Sequence, residues 1–279
     1  MKTIFTSTDL ENYNRDGYLI KREYFSKEEA GKIYETALND KVLRKKSLDL
    51  NDKKGLKTRL TLWYDIGNDI YGSLTRSQRI VTAVGILLSG TPAHYHSKLM
   101  QKEPKVGGAW EWHQDYGYWY EEGFLYPQML SVMVALTEAN KKNGCLQVLK
   151  GSHKLGRLNH DSMGGQVEIN AKKIEGAKKY HQLEYVELQP GDTLFFHCNL
   201  LHRSDANLSD NSRWSLISAY NLASNVPYGL YIDKAESCTE PVKILPDNSI
   251  LSGRFNTIDE DVEFLSNKMI DDLHDDIKS

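Results

Sequence analysis

From Ala93 onward the chain breaks into short runs that alternate apolar and polar residues, and no other feature limits the fold as much. The runs cover 94–100, 109–115, 129–136, 145–149, 181–188, 193–197 and 213–222, with Gly, Pro, Asn and Asp between them. Alternation with a period of two sends successive side chains to opposite faces, so each run predicts a half-buried β-strand. Seven or eight short strands at this spacing predict a sandwich or jelly roll.

Upstream the period changes. Ser26-Lys27-Glu28-Glu29 has the form of a capping box, and Ala30, Ile33, Tyr34, Ala37 and Leu38 follow at helical spacing, which predicts a helix over 26–39. A shorter helix is expected over 9–15, closed near Gly17 and followed by a strand through Tyr18, Leu19 and Ile20. Residues 60–64 alternate like a strand, and 69–88 reads as one helix stopped at Gly90. The acidic tail, 259–276, carries Val262, Leu265, Met269 and Leu273 at helical spacing and predicts a terminal amphipathic helix. Helices first and strands later predict an α+β, mainly β, fold in which the helices of 9–90 buttress one sheet. The chain 1–279 is expected to be a single domain with its core at 93–222.

Composition excludes more than it selects. A net charge of −3 gives no electrostatic reason to expect nucleic acid or an anionic membrane as partner. The longest apolar run, 80–88, contains Thr82 and Gly85 and is too short for a bilayer. The opening Met1-Lys2-Thr3-Ile4-Phe5 resembles a signal peptide, but Thr6-Ser7-Thr8-Asp9 interrupts any apolar core. Cys145, Cys198 and Cys238 are too scattered for a disulfide framework, so a reducing, cytoplasmic setting is expected. The basic run of 41–57 (Lys41, Arg44, Lys45, Lys46, Lys53, Lys54, Lys57) reads as a solvated loop, or alternatively as a lid over an anionic substrate. No heptad seam or self-complementary strand is visible, and a monomer or weak homo-oligomer is expected.

Chemistry concentrates at Trp110-Glu111-Trp112-His113-Gln114-Asp115 and, far downstream, at His202. On a strand, His113 and Asp115 share a face and can aim an imidazole and a carboxylate at one point. Three residues match by chance in many chains, and alone the tripeptide reads as a hydrogen-bonded His–Asp pair. A second histidine from a distant strand would complete two nitrogens and one oxygen, the facial arrangement of non-haem Fe(II) oxygenases. Eleven residues after His202 stands Arg213, with Ser215 on the same face, after a loop expected to return the chain beside the His202 strand. A guanidinium aimed inward needs a carboxylate, and no acidic residue is obviously placed to supply one. A dicarboxylate cosubstrate would, taken by Arg213 as a bidentate pair with a hydrogen bond from Ser215.

The order H-x-D, then Asn143-Gly144-Cys145-Leu146-Gln147-Val148-Leu149-Lys150-Gly151-Ser152-His153-Lys154, then Pro190-Gly191-Asp192-Thr193-Leu194-Phe195-Phe196-His197, then His202 with Arg213, resembles the phytanoyl-CoA dioxygenase family. The resemblance covers 93–222 and implies a double-stranded β-helix, a jelly-roll or cupin-like core. It implies Fe(II), 2-oxoglutarate and O2 as cofactors, with His113, Asp115 and His202 as iron ligands and Arg213 as the 2-oxoglutarate anchor. Halogenating relatives lack the carboxylate ligand, so Asp115 speaks against halogenation. The implied reaction oxidises an unactivated C–H of a small, carboxylate-bearing metabolite, an amino-acid derivative or acyl compound, and yields succinate and usually an alcohol. Ring closure or desaturation is the alternative outcome, as in kainoid synthases, which cyclise an N-prenylated amino acid. A Zn or Mn hydrolase or isomerase of cupin type and a catalytically silent binding module are the other readings; Arg213 and the intact ligand set oppose them.

Around this set, Tyr116, Tyr118 and Trp119 are expected to wall the substrate pocket. Gln147, Trp63 and Arg59 are assigned to the same pocket. Lys98 reads either as a contact to a cosubstrate carboxylate or as a surface charge. His94 and His96 alternate on one strand without a third partner and read as structural, and His197 reads as a packed histidine. His153 belongs to turn chemistry or to the mouth of the site.

Overall fold

The structure, a computed structural model, describes residues 4–163, 166–228, 238–253, 255 and 257–278. Its element order is α1 (Ser7–Asp16), β1 (Tyr18–Lys21), α2 (Lys27–Asn39), α3 (Lys41–Lys46), β2 (Leu48–Asn51), β3 (Lys57–Trp63), α4 (Ile70–Thr75), α5 (Gln78–Leu88) and β4 (Pro92–Lys102). Next come β5 (Trp110–His113), α6 (Asp115–Glu121), β6 (Met129–Ala135), β7 (Leu146–Leu149), β8 (His160–Met163), β9 (Gln166–Ile169) and α7 (Ala171–Lys178). The chain ends with β10 (Leu183–Val186), β11 (Thr193–His197), β12 (His202–Ser204), β13 (Arg213–Leu222), α8 (Ser249–Ser252) and α9 (Asn267–Lys278).

The capping boxes set both early helices. Ser26 Oγ accepts the Glu29 N–H while Glu29 reaches back to the Ser26 N–H, and Thr6 with Asp9 does the same for α1. The expected single helix over 69–88 is two. Asp69 caps α4, and the chain at Leu245 bonds Arg76 and Gln78 through their backbones, which interrupts the helix at Ser77. The basic run is not a loop either. It forms α3 and the β2–β3 hairpin, whose Lys57 and Arg59 pair with Asp49 while Lys53 pairs with Glu168. Charged side chains on an edge strand discourage pairing with another chain.

Two antiparallel sheets face each other as a jelly roll. The larger has the order β1-β11-β6-β13-β4-β3-β2 and the smaller β10-β7-β12-β5, with β8–β9 as a separate hairpin. The large sheet is covered on both faces, and strand parity decides which side chain goes where. Val132, Val134, Phe195 and Leu216 pack outward against Ile33, Ile70, Ile80 and Val84 of the helices. Met133, Ala135, Phe196 and Ile217 point inward between the sheets. The hairpin expected between His202 and Arg213 is instead a crossover, since β12 joins the small sheet and β13 the large one. Among the described residues no helix is long and apolar enough to cross a membrane.

The tail differs in extent from the expected helix. Residues 263–265 run along the end of β3, with Phe264 bridging Trp63 and the Leu265 N–H donating to Leu62, before α9 begins at Asn267. The side chain of Leu273 lies outside the described residues.

Candidate active site

Two histidines meet across the small sheet because β12 pairs with β5 in a register that puts His202 directly opposite His113. Their rings lie 4.1 Å apart, centroid to centroid. Each Nδ1 lies 2.8 Å from a backbone carbonyl, Glu111 for His113 and Leu200 for His202. A carbonyl only accepts, so Nδ1 carries the proton and the Nε2 lone pair is turned inward. Both Nε2 atoms point at Asp115 Oδ1, at 3.8 and 3.7 Å. The other oxygen of Asp115 accepts from Ser131 Oγ at 2.7 Å.

One expectation about this set is corrected. Asp115 is not on the strand with His113 but opens α6. The carboxylate still reaches the imidazoles because the backbone stays extended through Gln114 and turns only after it.

Electrostatics keep the three donors ready for a cation. Burial pushes both imidazoles below the ordinary histidine range, and the neighbouring His202 pushes His113 further. Burial alone would raise the Asp115 carboxyl, but Lys98, the two histidines and the Ser131 hydrogen bond bring it well below the usual carboxylate range. Two neutral imidazoles and one carboxylate, all within 4.8 Å of one another, can hold one metal ion. The hydrogen bonds to Glu111, Leu200 and Ser131 supply the outer support that such ligands need.

This cluster lines a cavity of about 320 Å³ between the sheets. Arg213 lines it too, with Nη1 on the Gly144 carbonyl at 2.7 Å and Nε without a partner among the described residues. Burial lowers its guanidinium to about 10. Ser215 is buried on the same face, and its hydroxyl has no partner among the described residues. Lys98 is inside the cavity, 3.8 Å from Asp115 Oδ1, so the surface-charge alternative falls.

The aromatic and polar candidates divide. Tyr118 and Trp119 line the cavity. Tyr116 does not: it is buried in the same apolar cluster as Trp119 without reaching the cavity, its hydroxyl donating to the Phe124 carbonyl. Gln147 is held by Asp205 and Arg203 away from the cavity. Trp63 and Arg59 face the wrong way. Leu60, Leu62 and Tyr64 line the cavity, so alternation sends Trp63 into the helix-side core against Tyr71, and Arg59 to Asp49. His153 stacks near His197, away from the cavity mouth, and His197 is the packed histidine expected.

Sequence reasoning missed several residues. His96 was grouped with His94, yet a bulge in β4 opposite Ala219 and Tyr220 separates them. His94 Nε2 bonds Ser97 Oγ at 2.9 Å, whereas His96 lines the cavity with its Nδ1 lacking a partner among the described residues. Ser131 was also missed, although a lone hydroxyl in the apolar run 129–135 was its signal. Leu265, Met269 and Asp272 of the tail line the cavity as well, and no local pattern connects them to it.

The sequence profile of phytanoyl-CoA dioxygenase (PhyH) matches residues 13–215. The chain belongs to the phytanoyl-CoA dioxygenase family. Within the family it is 26% identical over 247 residues to an ectoine dioxygenase of Bordetella parapertussis, covering 81% of this chain and 79% of that one. It is 24% identical over 234 residues to the L-proline trans-4-hydroxylase of Streptomyces griseoviridis, covering 77% and 86%. The fold matches crystal structures of EctD from S. alaskensis, one with bound Fe and one with 2-oxoglutarate and 5-hydroxyectoine. Both give a TM-score of 0.71 at 20% identity, over 88% of this chain and 89% of that chain. This phytanoyl-CoA dioxygenase relative is an oxygenase that uses Fe(II), 2-oxoglutarate and O2 on a small molecule.

Proposed function

We propose that His113, Asp115 and His202 hold the Fe(II), that Arg213 and Ser215 anchor the distal carboxylate of 2-oxoglutarate, and that the enzyme hydroxylates a small amino-acid derivative. One observation carries the site reading. The three donors converge in the cavity that also contains a buried guanidinium with no acidic partner among the described residues. A buried, unpaired cation is costly, and a dicarboxylate offsets that cost. Lys98, beside Asp115, suits the chelating end of the cosubstrate.

When bound, Fe(II) with 2-oxoglutarate and O2 supplies the oxidation of the C–H bond. The protein's part is positional. Glu111 and Leu200 fix the imidazole tautomers, and Ser131 takes Asp115 Oδ2, so that Oδ1 is the oxygen that faces both imidazoles and Lys98. Leu62, Met133 and Ile217 give the cavity an apolar wall that excludes water from the reacting centre.

The substrate class rests on the charge character of the rest of the wall. Beyond Asp115, Arg213 and Lys98 the lining carries Arg203, which is paired with Asp205, and the acids Glu122, which accepts from the Tyr95 hydroxyl, and Asp272. A wall of both signs suits a small zwitterion better than a purely apolar molecule. The named substrates of the two relatives, ectoine and L-proline, are small and amino-acid-like.

Incubation with Fe(II), ascorbate, 2-oxoglutarate and a panel of amino acids, their N-substituted forms and acyl compounds tests the reading. Succinate stimulated by an amino-acid derivative, with a product heavier by one oxygen, is expected. A product lighter by two hydrogens would replace hydroxylation with ring closure or desaturation. Absence of succinate across the panel would overturn the enzyme reading in favour of a silent module, and turnover with Zn or Mn without 2-oxoglutarate would favour the hydrolase.

A further inference from the structure

One residue too many in β4 shapes a wall of the cavity. Ala219 of β13 pairs with His96 and Tyr220 with His94, so Tyr95 is an extra residue with no partner on β13. Neighbours on a regular strand point to opposite faces, and a bulge breaks that rule and re-aims a side chain. The rings of Tyr95 and His96 consequently lie 4.8 Å apart, centroid to centroid. Trp119 packs 5.9 Å from Tyr95 and 5.8 Å from His96, and Tyr64 lies 6.3 Å from each.

Three of these rings, His96, Tyr64 and Trp119, line the cavity, and Tyr95 backs them. Glu122 joins the same wall, its carboxylate accepting the Tyr95 hydroxyl. The bulge residue therefore supports the ring cluster and holds an acid beside it. His96 supplies the other polar atom: it is 4% exposed, and its Nδ1 has no partner among the described residues. Burial first, and Lys98 second, push this imidazole well below the ordinary histidine range, so it is neutral and has one nitrogen lone pair to offer. A buried nitrogen without a hydrogen bond is costly, and a group bound in the cavity can remove that cost.

Charge decides what that group is. An anion would be repelled by Glu122, and Asp272 of α9 adds a second acid to the lining. A neutral apolar group would leave His96 Nδ1 without a partner. A protonated nitrogen satisfies all three kinds of neighbour. It donates to the imidazole, it is attracted by the carboxylate, and it gains from ring faces within about 6 Å. Lys98, on the same strand, is set against Asp115 at 3.8 Å.

We infer that Glu122, His96, Tyr64 and Trp119, set on the bulge at Tyr95, form a seat for a protonated amine or amidine nitrogen of the substrate. The seat is a specificity device. It rejects molecules whose only charge is negative, and by fixing one end of the substrate it selects the C–H presented to the metal donors. This inference rests on the reading of the cavity as the substrate site beside His113, Asp115 and His202.

Oxygen-free protein loaded with Mn(II) and 2-oxoglutarate tests this without turnover, because Mn(II) speeds the magnetic relaxation of ring protons bound near it. Four small rings serve as probes: pyrrolidine, protonated at neutral pH; N,N-dimethylpyrrolidinium, charged but without an N–H; tetrahydrofuran, neutral; and cyclopentanecarboxylate. Pyrrolidine is expected to bind best and dimethylpyrrolidinium next, with the other two weaker than pyrrolidine by roughly tenfold or more. Glu122→Gln should weaken both cations by roughly tenfold to a hundredfold, the range of a charge-assisted contact, and leave tetrahydrofuran unchanged. His96→Phe should weaken pyrrolidine more than dimethylpyrrolidinium. Tyr95→Phe keeps the ring but releases Glu122, so it should show part of the Glu122→Gln loss, and it decides the matter if Glu122→Gln does not fold. Tetrahydrofuran or the carboxylate binding as tightly as pyrrolidine, or an equal loss for all probes in Glu122→Gln, overturns the seat and leaves the cavity reading standing. If 2-oxoglutarate itself fails to bind the Mn(II)-loaded protein, the site reading falls and the seat with it.

Discussion

His160 Nε2 accepts the backbone N–H of Gln114 at 2.9 Å and so grips the peptide that links His113 to Asp115. The opposite ring nitrogen donates to the Leu158 carbonyl at 2.8 Å. Gln114 is held from its side chain as well, donating to Gly156 and Asn199 carbonyls and accepting the Leu158 N–H. The turn that aims both donors is therefore fixed by residues that are not donors themselves, and His160 is the one that titrates.

That grip requires a neutral imidazole, since a protonated ring would set N–H against N–H. Burial pushes His160 down to about 4, and His197 shows the same direction for the same reason. With the folded value below the unfolded one of about 6.5, the unfolded chain binds more protons between the two, so stability falls as pH drops through that window. His160 alone accounts for at most roughly 3 kcal/mol of this loss. Thermal melts of metal-free protein should decline steadily from about pH 7 to about pH 4.5; a flat profile over that range would show that the histidine is not held neutral.

Gly117 sits in the first turn of α6, where a Cβ would overlap the His160 ring. Helix propensity alone says that alanine there stabilises by about 1 kcal/mol. The packing says the reverse. Gly117→Ala should destabilise by about 1–3 kcal/mol through overpacking. By displacing His160 and then Gln114, it should also weaken Mn(II) or Fe(II) binding by roughly tenfold or more, the size of effect found when outer support of metal ligands is lost. Higher stability with unchanged metal affinity would mean that His160 moves aside at no cost.

Much of this site was legible because strand alternation is local, and the rest was not because register is not. His113, Asp115, His202 and Arg213 could be singled out by residue type and order. Nothing near His202 says that it will stand opposite His113, because that depends on how β12 slides along β5. The same indifference misplaced Trp63 and Arg59: their strand was read correctly, but a shift of one residue exchanges the faces, and only pairing with β4 selects Leu62 for the cavity. A single bulge likewise parted His96 from His94. The role of 265–272 depends on a contact with β3 some two hundred residues earlier in the chain.

Parity along β3 gives a direct contrast. Leu62→Ala should raise the substrate KM, since its side chain lines the cavity, while Arg59→Ala should change neither KM nor kcat. Trp63→Ala should cost about 3–5 kcal/mol of stability as a core truncation, with KM unaltered in the protein that remains folded. Melting curves beside steady-state kinetics distinguish the three. A KM effect from Arg59 with none from Leu62 would reverse the assignment of faces.

The roof of the cavity is the most separable part of the site. Phe264 and Leu265 are tied to β3 through backbone pairing, so the root of the tail belongs to the sheet. Beyond it, Met269, Ile270 and Asp272 reach the cavity from α9, and Met269 and Ile270 are only half-buried. Removing 267–279 should therefore leave the sandwich folded while opening the cavity to water. Each half-buried apolar side chain is worth about 1 kcal/mol, so the substrate KM should rise roughly tenfold or more. Succinate release should also lose its dependence on substrate, because nothing then keeps bulk water from the metal side. Comparison of succinate with product in full-length and truncated protein measures that coupling. Unchanged KM and coupling in a stably folded truncation would show that α9 covers the cavity without closing it.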